Sequence, residues 1–341
     1  MKIAIFGASV SHQTVNYATG EVTGYAEVLR REHAAELGVT EIRQITYPGN
    51  RLSDGGLVRL ADVVAWKPDI CLFEPLIEDG SRGKISLEAE KRYAYGALLE
   101  AGILPVTLLL PDPLRHPARA LPHYDQFIGI SRQYGLPVIE IDISGAADPE
   151  SKFNGVHTRL EGARLYARQI VAGLQSLGDP RRLAAEALER ASDGGRPEMM
   201  VTPLCLAPNA PKRIKKLELS LASHHSVPVT VRVVQPQNIG IFSPIIDLVL
   251  MRDGGQICSE TLSVWDAFCH YTRFSYVMLA NSVLEQPGHY ILSLQVSELL
   301  PDYAICRRPV EDWPAVRYLE PTNAPVLITS KYVSAKITCY E

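Results

Sequence analysis

The chain has 341 residues, and 34 Lys and Arg residues against 38 Asp and Glu residues give a net charge of −4. Hydrophobic residues make up 46% and charged residues 21%, a composition that excludes an intrinsically disordered chain, and the nearly balanced charge argues against binding nucleic acid through bulk electrostatics. The length predicts two domains, and no stretch approaches the roughly 20 apolar residues that cross a membrane.

The chain begins with a short apolar run, KIAIFGASV over residues 2–10, in which one lysine precedes apolar residues as in a secretion signal. Gly7 interrupts this run, and polar residues follow it at once. We therefore interpret the run as a first strand that ends in a tight loop, and we expect a cytoplasmic protein.

The first half of the chain alternates short apolar runs with longer helical segments. The predicted strands are residues 3–6, 41–47, 69–73, 104–110 and 137–143, and the predicted helices are residues 23–37, 53–66, 87–101, 123–134 and 159–174. Near-continuous apolar strands that alternate with helices predict a parallel sheet covered on both faces. We therefore expect residues 1–178 to form a three-layer α/β/α domain.

The second half of the chain has a different hydrophobic periodicity. Residues 179–198 predict a short helical linker, because Pro180 suits a helix start and the pair Gly194-Gly195 breaks the helix. From residue 199 the hydrophobic period changes to two, as in LELSL over residues 217–221 and YILSLQV over residues 290–296. Many short strands separated by turns predict a C-terminal all-β sandwich or jelly roll over residues 199–341.

Two short motifs place reactive side chains at strand ends. The sequence FGASVS follows the first strand directly, so Ser9 is predicted to face the edge where open α/β sheets bind ligands. The sequence NGVHT over residues 154–158 precedes the last helix of this half. Thr158 and Glu161 match a T-x-x-E capping box, which puts His157 in the loop just before that helix.

Together these motifs resemble the SGNH/GDSL hydrolase family, over about residues 1–176. The resemblance implies a three-layer α/β/α fold, with Ser9 as the nucleophile and His157 as the general base. It also places Gly49, in YPGN after the second strand, near the family's oxyanion glycine. The six cysteines form no CxxC pair, so no zinc site is predicted, and the implied chemistry needs no metal or organic cofactor.

Two of the three departures from the family pattern concern the oxyanion and the nucleophile. Ala8 stands where the family usually has Asp before the serine, and Glu78 stands where an Asn donates to the oxyanion. An ionised carboxylate cannot donate a hydrogen bond and would repel the oxyanion. Glu78 must therefore be protonated, turned away or neutralised by a cation such as Arg51 or Arg82. Asn50, next to the oxyanion glycine, could supply the missing donor.

The third departure concerns the acid that orients the base. Asn154 occupies the position of the family's catalytic Asp. In serine proteases the same Asp-to-Asn change costs on the order of 10⁴ in turnover, because the imidazole takes the wrong tautomer. A Ser-His dyad escapes most of that loss if a backbone carbonyl or Glu74 orients His157 instead. Glu74, at the end of the third strand, could equally be a surface charge.

These observations favour a serine-dependent ester hydrolase, and an acylated carbohydrate is the expected substrate class by analogy with other modular enzymes. The β domain would shape or recognise this substrate. One alternative is an acyltransferase that uses the same Ser-His pair with an activated acyl donor. Another is a descendant without catalytic activity that binds a glycan or a protein. No nucleic-acid or membrane partner is expected.

Overall fold

The computed structural model describes the chain except for residues 17–18, 75–87, 114–123, 145–147, 194–198, 205–212, 241–242, 266, 268, 271, 301, 308–318, 320–324 and 341. The chain divides into two units, Met1–Pro197 and Glu198–Glu341. Among the described residues, no helix combines the length and the apolar character needed to cross a membrane.

The first unit is built on a five-stranded parallel sheet. Its strands are β1 (Lys2–Gly7), β2 (Glu41–Gln44), β3 (Ile70–Glu74), β4 (Leu104–Leu109) and β5 (Val138–Glu140). They lie in the order β2-β1-β3-β4-β5, with every pair parallel. All residues of β3 and β4 are buried, as expected for strands covered on both faces. The chain reverses direction across the sheet between β1 and β3, and ligands bind at such switch points.

Helices occupy most of the remaining described part of this unit. They are α1 (Ser9–His12), α2 (Tyr25–Val28), α3 (Leu57–Trp66), α4 (Glu88–Glu100), α5 (Tyr124–Tyr134), α6 (Pro149–Lys152), α7 (Leu160–Gln175) and α8 (Pro180–Asp193). Two π-helical segments, Leu29–His33 and Leu52–Gly56, adjoin α2 and α3. The predicted α/β architecture is confirmed.

Several predicted elements differ in detail from the structure, and two of them show the cause. The helix predicted over residues 23–37 begins only at Tyr25, because the N–H groups of Thr23 and Gly24 both donate to the carbonyl of Thr14. The strand predicted over residues 41–47 ends at Gln44, although the N–H of Tyr47 still donates to the carbonyl of Gly7 at 3.0 Å. The loop after β2 is thereby held against the end of β1.

The helix predicted within the linker, α8, packs against α4, α5 and β4. Its buried side chains are Ala184, Ala187 and Ala191, which lie on one helical face. Small side chains on that face permit a close approach to the neighbouring helices. The helix is therefore part of the first unit, and the division between the units falls after it, at residues 197 and 198.

The described part of the second unit consists of two antiparallel sheets. Its strands are β8 (Met200–Pro203), β9 (Lys216–Ser223), β10 (Val229–Ile239), β11 (Ile245–Arg252), β12 (Gly255–Ser263), β13 (Arg273–Leu284), β14 (Gly288–Val296), β15 (Val326–Thr329) and β16 (Val333–Tyr340). One sheet has the order β13-β10-β15-β8, and the other has the order β12-β11-β14-β9-β16. Alternate residues of both sheets, such as Leu219 and Val231, form one shared core. The predicted all-β sandwich is confirmed.

Candidate active site

The turn after β1 presents Ser9 at the carboxyl edge of the parallel sheet. Gly7 ends the strand at a point of close contact, because a Cβ there would lie 2.4 Å from the backbone oxygen of Glu74 and 2.5 Å from Oγ of Ser11. The N–H of Ala8 donates to that same Glu74 oxygen at 3.2 Å. The ends of β1 and β3 are therefore in direct contact, and Ser9 follows as the first residue of α1, half-buried.

His157 lies on a small hairpin rather than in a loop. The strand β6 (Phe153–Asn154) pairs antiparallel with β7 (His157–Thr158), and Asn154 is the direct partner of His157. Gly155 takes the left-handed conformation in the turn between them, with φ of 63°, which is accessible to glycine at little cost. The G-x-H motif is thus the turn and second strand of a hairpin.

The structure brings Ser9 and His157 together across 148 residues of sequence. The Nε2 atom of His157 lies 3.2 Å from Oγ of Ser9, which is hydrogen-bonding distance. Burial lowers the pKa of His157 below its ordinary value. This shift favours the neutral imidazole, the form that can accept a proton from the serine hydroxyl.

The predicted capping box does not form. The N-cap of α7 is Arg159, without a side-chain cap hydrogen bond. The hydroxyl of Thr158 instead donates to the carbonyl of Thr23, and it also lies 3.3 Å from Oε1 of Gln13. The prediction was wrong because the T-x-x-E pattern reflects only the spacing of neighbouring residues. The Thr158 hydroxyl instead bonds to Gln13 and Thr23, which are distant in sequence.

No acid orients the imidazole in the part of the chain that the structure describes. The Nδ1 atom of His157 has no hydrogen-bond partner among the described residues. Asn154 is exposed, and its side-chain amide makes no hydrogen bond to any of them. The arrangement among the described residues is therefore a Ser-His dyad.

Glu74 takes neither of the two positions expected from the sequence. It is fully buried rather than a surface charge, and it forms no hydrogen bond with His157. Its Oε2 accepts a hydrogen bond of 2.6 Å from Ser11, whose Oγ lies 2.6 Å from the hydroxyl of Tyr25. Burial and the nearby Glu74 carboxylate raise the pKa of Tyr25 well above its usual range. Glu74 is thus a buried acceptor for Ser11, within the turn that carries Ser9.

The loop with Gly49 and Asn50 lies beside this turn, because Tyr47 anchors it to Gly7. The N–H of Gly49 makes no hydrogen bond to any described residue, so it is available to a ligand. Asn50 is buried, and its backbone N–H donates to the carbonyl of Tyr47 at 3.1 Å. Its Nδ2 donates to the carbonyl of Pro48 at 3.0 Å.

Glu78 and Arg82 lie outside the described residues. Arg51, the other cation considered for neutralising Glu78, pairs with Asp54 at 3.2 Å. Its backbone N–H also donates to Oδ1 of Asp54 at 2.6 Å. The guanidinium is therefore engaged at the start of the π-helical segment before α3.

The sequence did not predict the role of Gln13, whose side chain links the segment after Ser9 to the residue after His157. Gln13 directly follows α1, and its side-chain amide forms hydrogen bonds with Thr158, the residue after His157. The signal in the sequence is weak, since Gln13 is merely one of several polar residues after the first strand. Its partner lies 145 residues away and could not be identified from spacing.

No protein-family model and no curated protein matches the chain. Among solved structures, a two-domain esterase active on acetylated mannans, co-crystallised with mannopentaose, is similar over 97% of this chain and 92% of its own, with 12% identity and a TM-score of 0.60. A second structure of a two-domain esterase active on acetylated mannans has 13% identity, the same coverage and a TM-score of 0.55. The chain therefore shares the two-domain fold of these solved esterases.

Proposed function

We propose that the chain is a serine-dependent ester hydrolase that acts on an acylated carbohydrate. The observation that carries the proposal is the 3.2 Å approach of His157 Nε2 to Ser9 Oγ at the switch point of the parallel sheet. An imidazole at hydrogen-bonding distance from the hydroxyl of a half-buried serine is the arrangement that activates an oxygen nucleophile.

The proposed reaction has two stages. Oγ of Ser9 attacks the acyl carbon while Nε2 of His157 takes the hydroxyl proton, and the N–H groups of Ser9 and Gly49 stabilise the oxyanion. His157 then gives this proton to the leaving sugar oxygen, which frees the alcohol and leaves an acyl-serine ester. A water molecule attacks that ester with His157 as base, the carboxylic acid is released, and the proton returns to Ser9. The side-chain amide of Asn50 is a further candidate donor to the oxyanion.

The substrate class is supported by the solved neighbours. A two-domain esterase of the same fold is active on acetylated mannans. We propose that the β unit is an accessory domain that recognises the carbohydrate. The finer domain boundaries, the role of Glu78 at the oxyanion and the cytoplasmic location stay predictions of the sequence.

A fluorophosphonate probe followed by peptide mapping tests this function. Labelling at Ser9, together with release of p-nitrophenol from p-nitrophenyl acetate, is the expected result. Adding an acceptor sugar separates hydrolysis from acyl transfer, since transfer would form an acylated sugar in place of free acetate. Folded protein that is not labelled would instead favour a binding protein without catalytic activity.

The activity is expected to depend on pH through His157. Burial disfavours the imidazolium and lowers the pKa of His157, so the neutral base form persists to lower pH than for a free imidazole. The value of kcat/KM should rise with pH, with a midpoint below about 6.5, and stay level above it. A midpoint above that value would mean that a carboxylate stabilises the imidazolium after all.

The Asn154→Ala substitution is expected to change kcat by less than about threefold. The Asn154 side chain is exposed and forms no hydrogen bond with any described residue, so its removal leaves the imidazole where it is. Steady-state hydrolysis of p-nitrophenyl acetate measures this effect. A fall in kcat of a hundredfold or more would mean that Asn154 is a third catalytic residue.

A further inference from the structure

Gln13 connects the nucleophile segment to the strand that carries the base. Its Oε1 accepts a hydrogen bond from the N–H of Thr158 at 3.0 Å, and its Nε2 donates to the carbonyl of Thr158 at 3.2 Å. The side-chain amide thereby pairs with both backbone groups of one residue, as a neighbouring β-strand would. That residue directly follows His157.

The backbone of Gln13 is itself held from two sides. Its carbonyl accepts a hydrogen bond of 3.1 Å from Nε2 of Gln44, and this same nitrogen donates to the carbonyl of Ser11 at 2.8 Å. Gly24 lies so close to the carbonyl of Gln13 that a Cβ on Gly24 would be 1.8 Å from its oxygen. The Gln13 side chain therefore projects from a fixed base, immediately after the helix that begins with Ser9.

The imidazole has few other restraints. Its Nδ1 has no partner among the described residues, and Glu74 is committed to Ser11. The position of the His157 ring is therefore set by the backbone of the hairpin strand β7. The other residue of β7 is Thr158, which Gln13 ties to the nucleophile segment.

We propose that Gln13 is a positioning residue that holds His157 at hydrogen-bonding distance from Ser9. It does part of what a carboxylate does in a triad, because it restricts the imidazole, but it brings no charge to stabilise the imidazolium. A misplacement of about 1 Å in such a pair can cost on the order of a hundredfold in rate. The inference rests on the proposed function, because it treats His157 as the base.

The Gln13→Met variant tests the inference, because it keeps the side-chain size and removes the hydrogen bonds of Gln13 with both the backbone and the hydroxyl of Thr158. We expect kcat to fall by about tenfold or more with KM nearly unchanged. Gln169→Met is the matched control. The side chain of Gln169 holds Asp142 in the same way, with hydrogen bonds of 2.9 Å and 2.8 Å to its backbone N–H and carbonyl, and it has no hydrogen bond to the dyad. This control should keep its kcat within about twofold.

A double substitution separates positioning from general stability. In a His157→Ala background, Gln13→Met should cause no further loss of the residual hydrolysis, because Gln13 acts through the imidazole. An additional loss there, or an equal loss in the Gln169→Met control, would mean a purely structural role and would overturn the inference. If Gln13→Met does not fold, Gln13→Glu serves the same comparison. It keeps an oxygen that accepts from the Thr158 N–H and removes only the group that donates to the Thr158 carbonyl.

A proton NMR titration of His157 tests the role of Gln13 independently of the proposed esterase function. In Gln13→Met the hairpin is released, so the pKa of His157 should rise towards that of a solvated imidazole, whether or not the protein hydrolyses esters. Retained hydrolysis in Ser9→Ala would contradict the proposed function and leave this titration as the test of Gln13. An unchanged kcat together with an unchanged titration would overturn the role of Gln13.

Discussion

Ser9→Ala and His157→Ala are each expected to lower the hydrolysis of p-nitrophenyl acetate by at least about 10³-fold, and the double variant should lose no more than either single variant. The 3.2 Å contact makes the two side chains one functional unit, and residues of such a unit show strongly non-additive losses. The size of the loss is informative. An imidazole in the wrong tautomer would contribute little, because that change alone costs on the order of 10⁴ in serine proteases.

Ser176→Ala provides a matched control for this experiment. Ser176 is an exposed serine whose Oγ donates to the carbonyl of Gly173 at the end of α7, and the variant should keep its activity. Circular dichroism and Tm of each variant should match those of the wild type, since Ser9 and His157 are only half-buried. Losses that add up in the double variant would mean that Ser9 and His157 act independently, and would contradict the dyad.

The sheet could be predicted because its strands are apolar on both faces. The apolar segments that form β1, β3 and β4 could be identified as strands from their composition alone. Their alternation with helices then predicted parallel pairing. Local exceptions could not be predicted. The late start of α2, for example, depends on hydrogen bonds to the Thr14 carbonyl, which lies in another part of the fold.

The candidate site could be predicted only in part, for a similar reason. Ser9 and His157 stand in short motifs at strand ends, so the family resemblance placed both of them. Glu74 and Gln13 lie in no motif, and their partners are 63 and 145 residues away in sequence. A carboxyl group at a strand end looks the same in sequence whether it faces solvent or, like Glu74, is buried beneath the nucleophile turn. Only the three-dimensional contacts distinguish these cases.

Gly7→Ala is expected to abolish most of the activity and to lower the free energy of unfolding by about 3 kcal/mol or more. The added Cβ would lie 2.4 Å from the backbone oxygen of Glu74 and 2.6 Å from its Oε2, distances that real contacts do not reach. Neither group can move easily, because Glu74 ends a fully buried strand and its carboxylate is bonded to Ser11. The ends of β1 and β3 must then separate, which displaces Ser9 from His157.

Urea unfolding and the rate of fluorophosphonate labelling measure the two parts of this effect. Gly129→Ala is the control, because Gly129 is exposed in the middle of α5 and a Cβ there meets no atom within 4 Å. Alanine is the better helix former, so this control should gain about 0.5–1 kcal/mol and keep its labelling rate. A Gly7→Ala protein with normal stability and normal labelling would show that the nucleophile turn does not depend on close contact between β1 and β3. If instead stability falls while labelling of the folded fraction persists, the turn would be adaptable, and the Ser9–His157 distance would be set by Gln13 and the hairpin alone.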